Sequence, residues 1–474
     1  MKELISVLLG YATIFIYIFV LIYKVGNSVK RRFDVETSRK VVHISLFMVW
    51  VLIAIFLRDT VHQIIIPICF LILNSISFKF KVFDSIERDV DNHFGTIYFA
   101  VAVGAVMTAA YIDPALFPYT GIAVFALTFG DGFAALVGHH TNSPKIHKGK
   151  SLFGSLACFG AIFIATIILK FVFSLEITIF NIFVLALLCT IFELVGFGLD
   201  NFFITIPALI MSYYLSTMSN PLFFASVYIA IAIFLIVFFT GAIDYPGAIT
   251  SMCMVFCFGY FGGYGAMFFL IGAYFAIYVI SIVSRKIKKD NQKTQRGIVQ
   301  ILINGGLGTF VLIVSHLISS QGILASALVV IAGCFIDSVS SDIGTLSKKM
   351  PYDILSKKHV EAGMSGGVTT LGTVSALIAS AVCAVAICGI CHMNFLWVLI
   401  VTPLIFLQTV VDTVLGSTIQ AKYACSKCGK QIETPYHCDR LAIFKRGITV
   451  VNNNAVNLIS SFIIMIISLF VLAL

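Results

Sequence analysis

Charged residues are scarce in this chain: of 474 residues, only 11% are Asp, Glu, Lys or Arg. Soluble domains carry about 25%, so a water-exposed globular protein is excluded. No basic array interleaved with aromatics is present, which argues against a nucleic-acid partner despite the net charge of +9. The first apolar run, residues 4–23, lacks a basic leading segment and a small-residue cleavage site, so it reads as a retained helix rather than a signal peptide. Most of the 12 cysteines lie inside apolar runs, where a thiol behaves as a small hydrophobe, and no disulfide framework is expected. Gly149-Lys150-Ser151 has the ending of a P-loop, but that motif requires glycine where Pro144 stands, and no soluble strand precedes it. A P-loop nucleotidase is therefore excluded.

Hydrophobic residues make up 59% of the chain and aromatic ones 13%. Apolar runs of about 16 to 25 residues recur from end to end, each long enough to cross a hydrocarbon layer roughly 30 Å thick as a helix. The expected fold is an all-α integral membrane protein, a polytopic bundle of about 14–16 transmembrane helices. Of the 31 Lys and Arg, 28 fall in six alternate loops: residues 24–40, 78–93, 138–150, 285–296, 344–365 and 420–449. The positive-inside rule places those loops in the cytoplasm, and in the bacterial inner membrane if the source is bacterial. The positive charge then follows from topology and the anionic leaflet.

The chain divides into two related modules, residues 1–240 and 241–474. Asp131 stands seven residues before Gly138, and Asp337 seven before Gly344. A stretch rich in Lys and His follows each acid. Next come Gly149-Lys150-Ser151 with Gly154 in the first half, and Gly363-Met-Ser365-Gly366-Gly367 in the second. Both motif loops fall on the basic side, which fits a parallel repeat better than an inverted one.

An acid inside a membrane helix costs a few kcal/mol or more to insert, so Asp131 and Asp337 are functional candidates by default. Carboxylates beside lysines and a Gly/Ser turn that opens a helix are the parts needed to hold Mg²⁺ with a nucleoside triphosphate. Arg39, Lys40 and His43 gather at one helix mouth, and Asp89, Asp91 and His93 in the loop after residue 80. Glu193 lies inside an apolar run, with Asp200 and Asn201 beyond its end. In the second half Arg296, Gln300 and Asn304 recur every four residues on one helix face, followed by Gly305 and Gly306. Asn452, Asn453 and Asn457 are candidates to line the same site. Cys425-x2-Cys428 followed by His437-Cys438 offers three thiolates and an imidazole, a set able to hold structural Zn²⁺, although adjacent His-Cys ligands depart from ordinary finger spacing.

The stretches "SRKVVHI", "FGTIYFAVA", "FGDGFAALVGHH", "KGKSLFGSLACF" and "ELVGFGLDNFFITIP" resemble the polyprenol-type kinases, a group that includes dolichol kinase and the phytol/farnesol kinases. The stretches "QRGIVQILINGG", "IDSVSSDIGTLS", "VEAGMSGGVTTLG", "VDTVLGSTIQ", the "CSKC…HC" loop and "NNNAVNL" resemble the membrane family that includes phytyl-phosphate kinases. The resemblance implies a bifunctional membrane kinase that phosphorylates an isoprenoid alcohol to its monophosphate and then to the diphosphate, with CTP or ATP as donor and Mg²⁺ as cofactor. It implies a first site of Asp131, Gly149, Lys150, Ser151, Gly154, Asp200 and Asn201. The implied second site comprises Arg296, Gln300, Asn304, Asp337, Asp342, Gly363, Ser365, Gly366, Gly367, Asp412 and Gln420. Within these sets Asp131, Lys150, Asp337 and Arg296 are the expected catalytic residues. Asp131, Asp200, Asn201, Asp337, Asp342 and Asp412 are the expected Mg²⁺ ligands. Asp342 stands where that family usually has Glu, and Asn452 where it usually has Asp. The expected partners are the isoprenoid alcohol, the prenyl monophosphate and membrane lipid. The rival readings are a CTP-dependent lipid kinase or lipid cytidylyltransferase, and a lipid transporter.

Overall fold

The computed structural model describes residues 2–58, 61–80, 95–147, 149–195, 200–288, 297–353, 357–361, 363–438 and 440–472. The chain forms two compact units, Met1–Ser219 and Asn220–Leu474, so the break falls ahead of the helix that starts at Pro221 rather than near residue 240. Among the described residues, twelve helices are long and apolar enough to cross a membrane, and two shorter apolar helices, His62–Ile76 and Ile179–Leu194, accompany them. The fold is all-helical and polytopic.

The first unit contains α1 (Lys2–Val20), α2 (Asn27–Arg32), α3 (Val35–Ser45), α4 (Phe47–Phe56), α5 (His62–Phe80), α6 (Gly95–Ile112) and α7 (Phe117–Phe125). A π-helical turn, Ala126–Asp131, joins α7 to α8 (Gly132–His140). Then follow α9 (Leu152–Phe173), α10 (Ile179–Val195) and α11 (Asp200–Thr217). The second unit contains α12 (Pro221–Thr240), α13 (Tyr245–Lys288), α14 (Ile298–Ile318), α15 (Gln321–Gly344), α16 (Thr370–Ile390), α17 (Val398–Thr418) and α18 (Asn453–Leu472). Helix α13 runs for 44 residues but breaks at Gly263, whose φ of 80° is left-handed, so it counts as two membrane-length arms. Helix starts are set by local side chains: Asp34 accepts the Thr37 N–H, Asn220 that of Leu222 and Ser320 that of Ile323.

One helix in each unit is enclosed by the others. The span Pro114–His140 has 61% of its apolar window buried and Gln321–Gly344 has 72%, against 22–33% for the other ten. These two helices carry Asp131 and Asp337. Trp50 closes the first core: its Nε1 donates to Thr120 Oγ1 at 3.0 Å, and a Cβ on Gly121 would lie 2.6 Å from its ring. In the second core, helices α14, α16, α17 and α18 pack around α15.

Candidate active sites

Each enclosed helix leads into the same join. In the first unit Gly138, seven residues after Asp131, lies against Gly154; a Cβ on Gly154 would stand 2.6 Å from Ala134 O, 3.1 Å from Ser151 Oγ and 3.3 Å from the Gly138 Cα. In the second, Gly344 lies against Gly372, where a Cβ would stand 2.9 Å from Ser340 O, 3.1 Å from Thr369 Oγ1 and 3.2 Å from the Gly344 Cα. Ser151 caps α9 by accepting the Gly154 N–H at 3.2 Å, and Thr369 caps α16 by accepting the Gly372 N–H at 3.1 Å. The counterparts of Ser151 and Gly154 are thus Thr369 and Gly372. The pairing of Gly149–Gly154 with Gly363–Gly367 expected from sequence spacing is corrected by this geometry.

The two connecting loops differ in size. Strands β1 (Lys145–His147) and β2 (Lys150–Ser151) form a hairpin in the first unit. In the second, β3 (Tyr352–Asp353) pairs with both β4 (Lys358–His359) and β5 (Gly367–Val368). Gly149 and Gly363 both adopt left-handed backbone, with φ of 83° and 89°, and a side chain would meet open space at either. Their glycines answer to φ alone.

In the first unit Lys40 Nζ donates to Asp131 Oδ2 at 2.5 Å, and His43 Nε2 lies 3.4 Å from the same oxygen. All three side chains are at least four-fifths enclosed. Lys40 and His43 come from α3, one turn apart, so a single helix face presents both to the acid. Beyond His43 lies a narrow apolar cleft lined by Leu46, Trp50, Phe99, Val103 and Met107 among others. The His43 ring meets Phe99 edge-on at 5.0 Å.

Other residues of the expected first site are engaged elsewhere. Lys150 Nζ pairs with Glu193 Oε1 at 2.6 Å and also donates to the Glu193 carbonyl. The buried glutamate in an apolar run therefore has a cation. Asn201 Nδ2 donates to Gly95 O at 2.9 Å, tying α11 to the start of α6. Asp200 begins α11, but its side chain lies outside the described residues, as do Asp89, Asp91 and His93. His139, His140 and Asp34 form an exposed cluster whose ligand atoms lie within 4.8 Å of one another. Thr37 Oγ1 also contacts His140 Nε2, at 3.1 Å.

The second unit gathers a larger polar set at α15, α17 and α18. On α17, Gln408, Asp412 and Gly416 recur every four residues and share one face, and Gln420 follows two residues beyond the helix end. The charge of Asp337, on α15, acts on the Asp412 carboxyl of α17. Ser460 Oγ approaches Asp412 Oδ1 at 3.5 Å, and the Asn457 amide, with its nitrogen turned inward, donates to the same oxygen at 3.0 Å. Deeper still, Gln408 Nε2 donates to Ser461 Oγ at 2.9 Å and to Cys334 Sγ at 3.2 Å. A Cβ on Gly333 would fall 1.9 Å from Gln408 Oε1, so glycine there is what lets the amide enter.

At the outer end of this polar face sits Ser365. Its N–H and Oγ donate to Glu433 Oε1 and Oε2 at 2.7 and 3.0 Å. Gln420 Nε2 donates to Ser365 Oγ at 3.1 Å, and Lys422 Nζ to Ser365 O at 2.6 Å. Gly366 combines a φ of 85° with backbone contact: a Cβ would stand 2.8 Å from the Ser417 N and Cα. Gly367 is crowded by Val360 and Pro351. Asp353, fully buried, accepts from Ser417 Oγ at 2.6 Å and lies 3.4 Å from Arg446 Nη2. Burial, and then the positive charge of Arg446, pull the Lys422 ammonium below the ordinary lysine range.

Several expectations change here. Asp342 accepts from Ser281 Oγ, so its partner comes from α13 rather than from α17. Asn452 accepts the Ala455 N–H at 3.0 Å and opens α18, a cap that asparagine fills as well as aspartate. Buried Asn304 Oδ1 and Gln420 Oε1 have no hydrogen-bond partner among the described residues. Gln300 lies half-buried one turn before Asn304, and Gly305 packs on Met254 and Tyr274. Arg296 lies outside the described residues. Sequence reasoning missed Glu433, Lys422, Asp353, Ser417 and Ser460; the four-residue spacing from Gln408 to Gln420 was the signal available for α17.

Cys425, Cys428, His437 and Cys438 come together in the loop after α17, their ligand atoms all within 4.8 Å of one another. The backbone N–H groups of Cys428 and Lys427, with His437, hold the Cys425 thiol down to about 6.

An all-helical polytopic protein, with two repeated joins and an acid inside each of its enclosed helices, is an integral membrane protein. More particularly, the model of the integral membrane protein family DUF92 matches residues 228–465, half of the chain, and the protein belongs to that family. It is similar to Protein PGR of Arabidopsis thaliana, with 30% identity over 35% of this chain and 65% of the relative. It is also similar to a membrane protein of Methanocaldococcus jannaschii described as uncharacterized, with 27% identity over 33% of this chain and 66% of the relative. The chain thus spans just under two thirds of the length of these curated relatives. No solved structure matches it.

Proposed function

We propose that the protein is a membrane phosphotransferase that carries an isoprenoid alcohol to its monophosphate in the first unit and on to the diphosphate in the second, with CTP or ATP as donor. The observation that carries this reading is the repeated join: each enclosed helix carries an acid, a glycine follows seven residues later, and a Ser/Thr-capped helix opens against that glycine. Such a helix start offers N–H groups to phosphate oxygens. The motif resemblance to polyprenol and phytyl-phosphate kinases supplies the substrate class.

In the first unit the apolar cleft beside His43 and Phe99 suits a prenyl tail, which brings the hydroxyl toward Asp131. The hydroxyl oxygen attacks the terminal phosphorus, its bond to the nucleoside diphosphate breaks, and Asp131 takes the hydroxyl proton. Lys40, hydrogen-bonded to the same carboxylate, fixes its position for that transfer. The described residues bring one carboxylate to this cluster, already matched by a cation, so the donor set does not fit Mg²⁺ here.

The second unit is the candidate to hold the metal. Asp337 and Asp412 would supply the carboxylate oxygens that Mg²⁺ prefers, with the Asn457 amide nitrogen donating to Asp412 Oδ1. Two carboxylates inside a membrane protein that feel each other's charge are eased by a cation or a proton. Mg²⁺ held there would neutralise charge on the transferred phosphoryl group. Gln420, Lys422 and the Ser365 turn would meet the donor phosphates, with both motif loops facing the cytoplasm.

The test is purified protein in detergent with Mg²⁺, γ-labelled CTP or ATP, and a panel of prenols and prenyl monophosphates, the products resolved by chromatography. Label in both mono- and diphosphate is the expected result. A cytidylyl-lipid with pyrophosphate release, or no transfer by folded protein, would overturn the proposal.

A further inference from the structure

The loop between α17 and α18 is built from short strands with two tight turns. Strand β6 (Lys422–Ala424) pairs with β7 (Gln431–Ile432) and with β10 (Ile443–Arg446), and β8 (Tyr436–His437) pairs with β9 (Arg440–Leu441). At the first turn Cys425-x2-Cys428 is followed by Gly429 in left-handed backbone, φ 73°, with its N–H on Cys425 O at 3.0 Å. The N–H groups of Lys427 and Cys428 point at Cys425 Sγ, at 3.4 and 3.5 Å. At the second turn Cys438 is left-handed, φ 52°, which sets its thiol beside the neighbouring imidazole.

Distances match a tetrahedral metal. With Zn–S near 2.3 Å and Zn–N near 2.0–2.1 Å, the edges of the ligand tetrahedron are roughly 3.5–3.8 Å. His437 Nδ1 lies 3.6 Å from Cys428 Sγ and 3.2 Å from Cys438 Sγ, and no pair of the four ligand atoms exceeds 4.8 Å. The backbone donors on Cys425 Sγ are the outer partners that a thiolate ligand needs. The strands are two to four residues long, too short to hold a loop of this size by themselves, whereas a closed four-ligand zinc site contributes folding energy outright.

One residue links this loop to the polar site. Glu433 follows β7 directly, and both of its carboxylate oxygens are taken by Ser365. We propose that Cys425, Cys428, His437 and Cys438 bind one Zn²⁺, and that the zinc-held loop clamps the Ser365 turn in place through Glu433. Zinc is thereby a structural ion whose removal loosens the Gly363–Gly367 turn without touching the first unit. The site stands on its own geometry and does not depend on the phosphotransferase reading.

The experiment uses full-length protein in detergent. Elemental analysis is expected to find about one zinc per chain and no stoichiometric iron. Cys428→Ser and Cys438→Ser are expected to lose it. His437→Cys, which keeps four ligands, is expected to retain zinc and so separates ligand loss from misfolding. Cobalt exchanged into the wild type is expected to give the visible d–d bands of a tetrahedral thiolate centre. Hydrogen exchange before and after chelation reads the clamp: faster exchange is expected at residues 363–368, with residues 144–151 unchanged. Glu433→Gln is expected to speed exchange at the Ser365 turn while zinc stays bound. Protein purified without zinc that also fails to take up cobalt, or zinc retained in both serine variants, would overturn the metal site. Exchange at the Ser365 turn that ignores both chelation and Glu433→Gln would overturn the clamp.

Discussion

Lys40 donates to Asp131 across 91 residues of chain, at 2.5 Å, with both side chains almost wholly enclosed. Removing either partner leaves a buried charge without its counter-ion, a loss of about 3–5 kcal/mol for such pairs. Lys40→Met and Asp131→Asn are each expected to lower the melting temperature in detergent sharply. The double variant is expected to recover much of that loss, because two neutral groups replace the pair. Thermal melts of the three proteins check this, and equal or additive losses would contradict it.

Replacing the acid pair of the second unit separates the two proposed reactions. Asp337→Asn and Asp412→Asn are expected to cut conversion of prenyl monophosphate to diphosphate by about 100-fold or more, while phosphorylation of the alcohol continues. Chromatography of labelled products gives both numbers from one assay. Loss of both products together in a folded variant would assign the acids differently.

The glycines of the two joins are there for space. A Cβ on Gly154 or Gly372 would press on a backbone oxygen at 2.6 or 2.9 Å, and overpacking of this kind costs about 1–3 kcal/mol. Gly154→Ala and Gly372→Ala are therefore expected to destabilise their units to a similar degree. Gly149→Ala meets no atom within 4 Å, so its cost is limited to the left-handed backbone, about 1–2 kcal/mol. Chemical or thermal unfolding of the set in detergent tests the equivalence of Gly154 and Gly372.

Gly333 offers a more severe case. Its missing side chain is the space that the Gln408 amide occupies, 1.9 Å from an added Cβ. Gly333→Ala is expected to displace Gln408 from Ser461 and Cys334 and to destabilise the second unit by more than about 1 kcal/mol. Gly333→Ala combined with Gln408→Ala is expected to be the more stable protein of the two, and a melt of both decides it.

The membrane class and the placing of Asp131 and Asp337 inside apolar runs were legible in the sequence, while Asp412 entered only through the family resemblance. A charge inside a 20-residue apolar run is visible without coordinates, and the cost of burying it is a property of the residue and its surroundings in the chain. The Cys/His set was legible too, because its four members lie within one loop. The pairing of the two motif loops was not. One holds a two-stranded hairpin and the other a three-stranded sheet, so counting along the chain slips the register and sets Ser365 where Thr369 belongs.

What the sequence determined by itself is therefore what local composition dictates: apolar helices, loop charge, and the acids set within apolar runs. Tertiary structure alone decided the partners. Lys150 meets Glu193, Asp342 accepts from Ser281, and Glu433 reaches Ser365 across 68 residues. Each pairing depends on which helix faces cross in space. Crossings are set by side-chain packing over the whole unit, such as Gly138 on Gly154, Gly344 on Gly372 and Gly333 beneath Gln408, and no window along the chain contains both sides of such a contact.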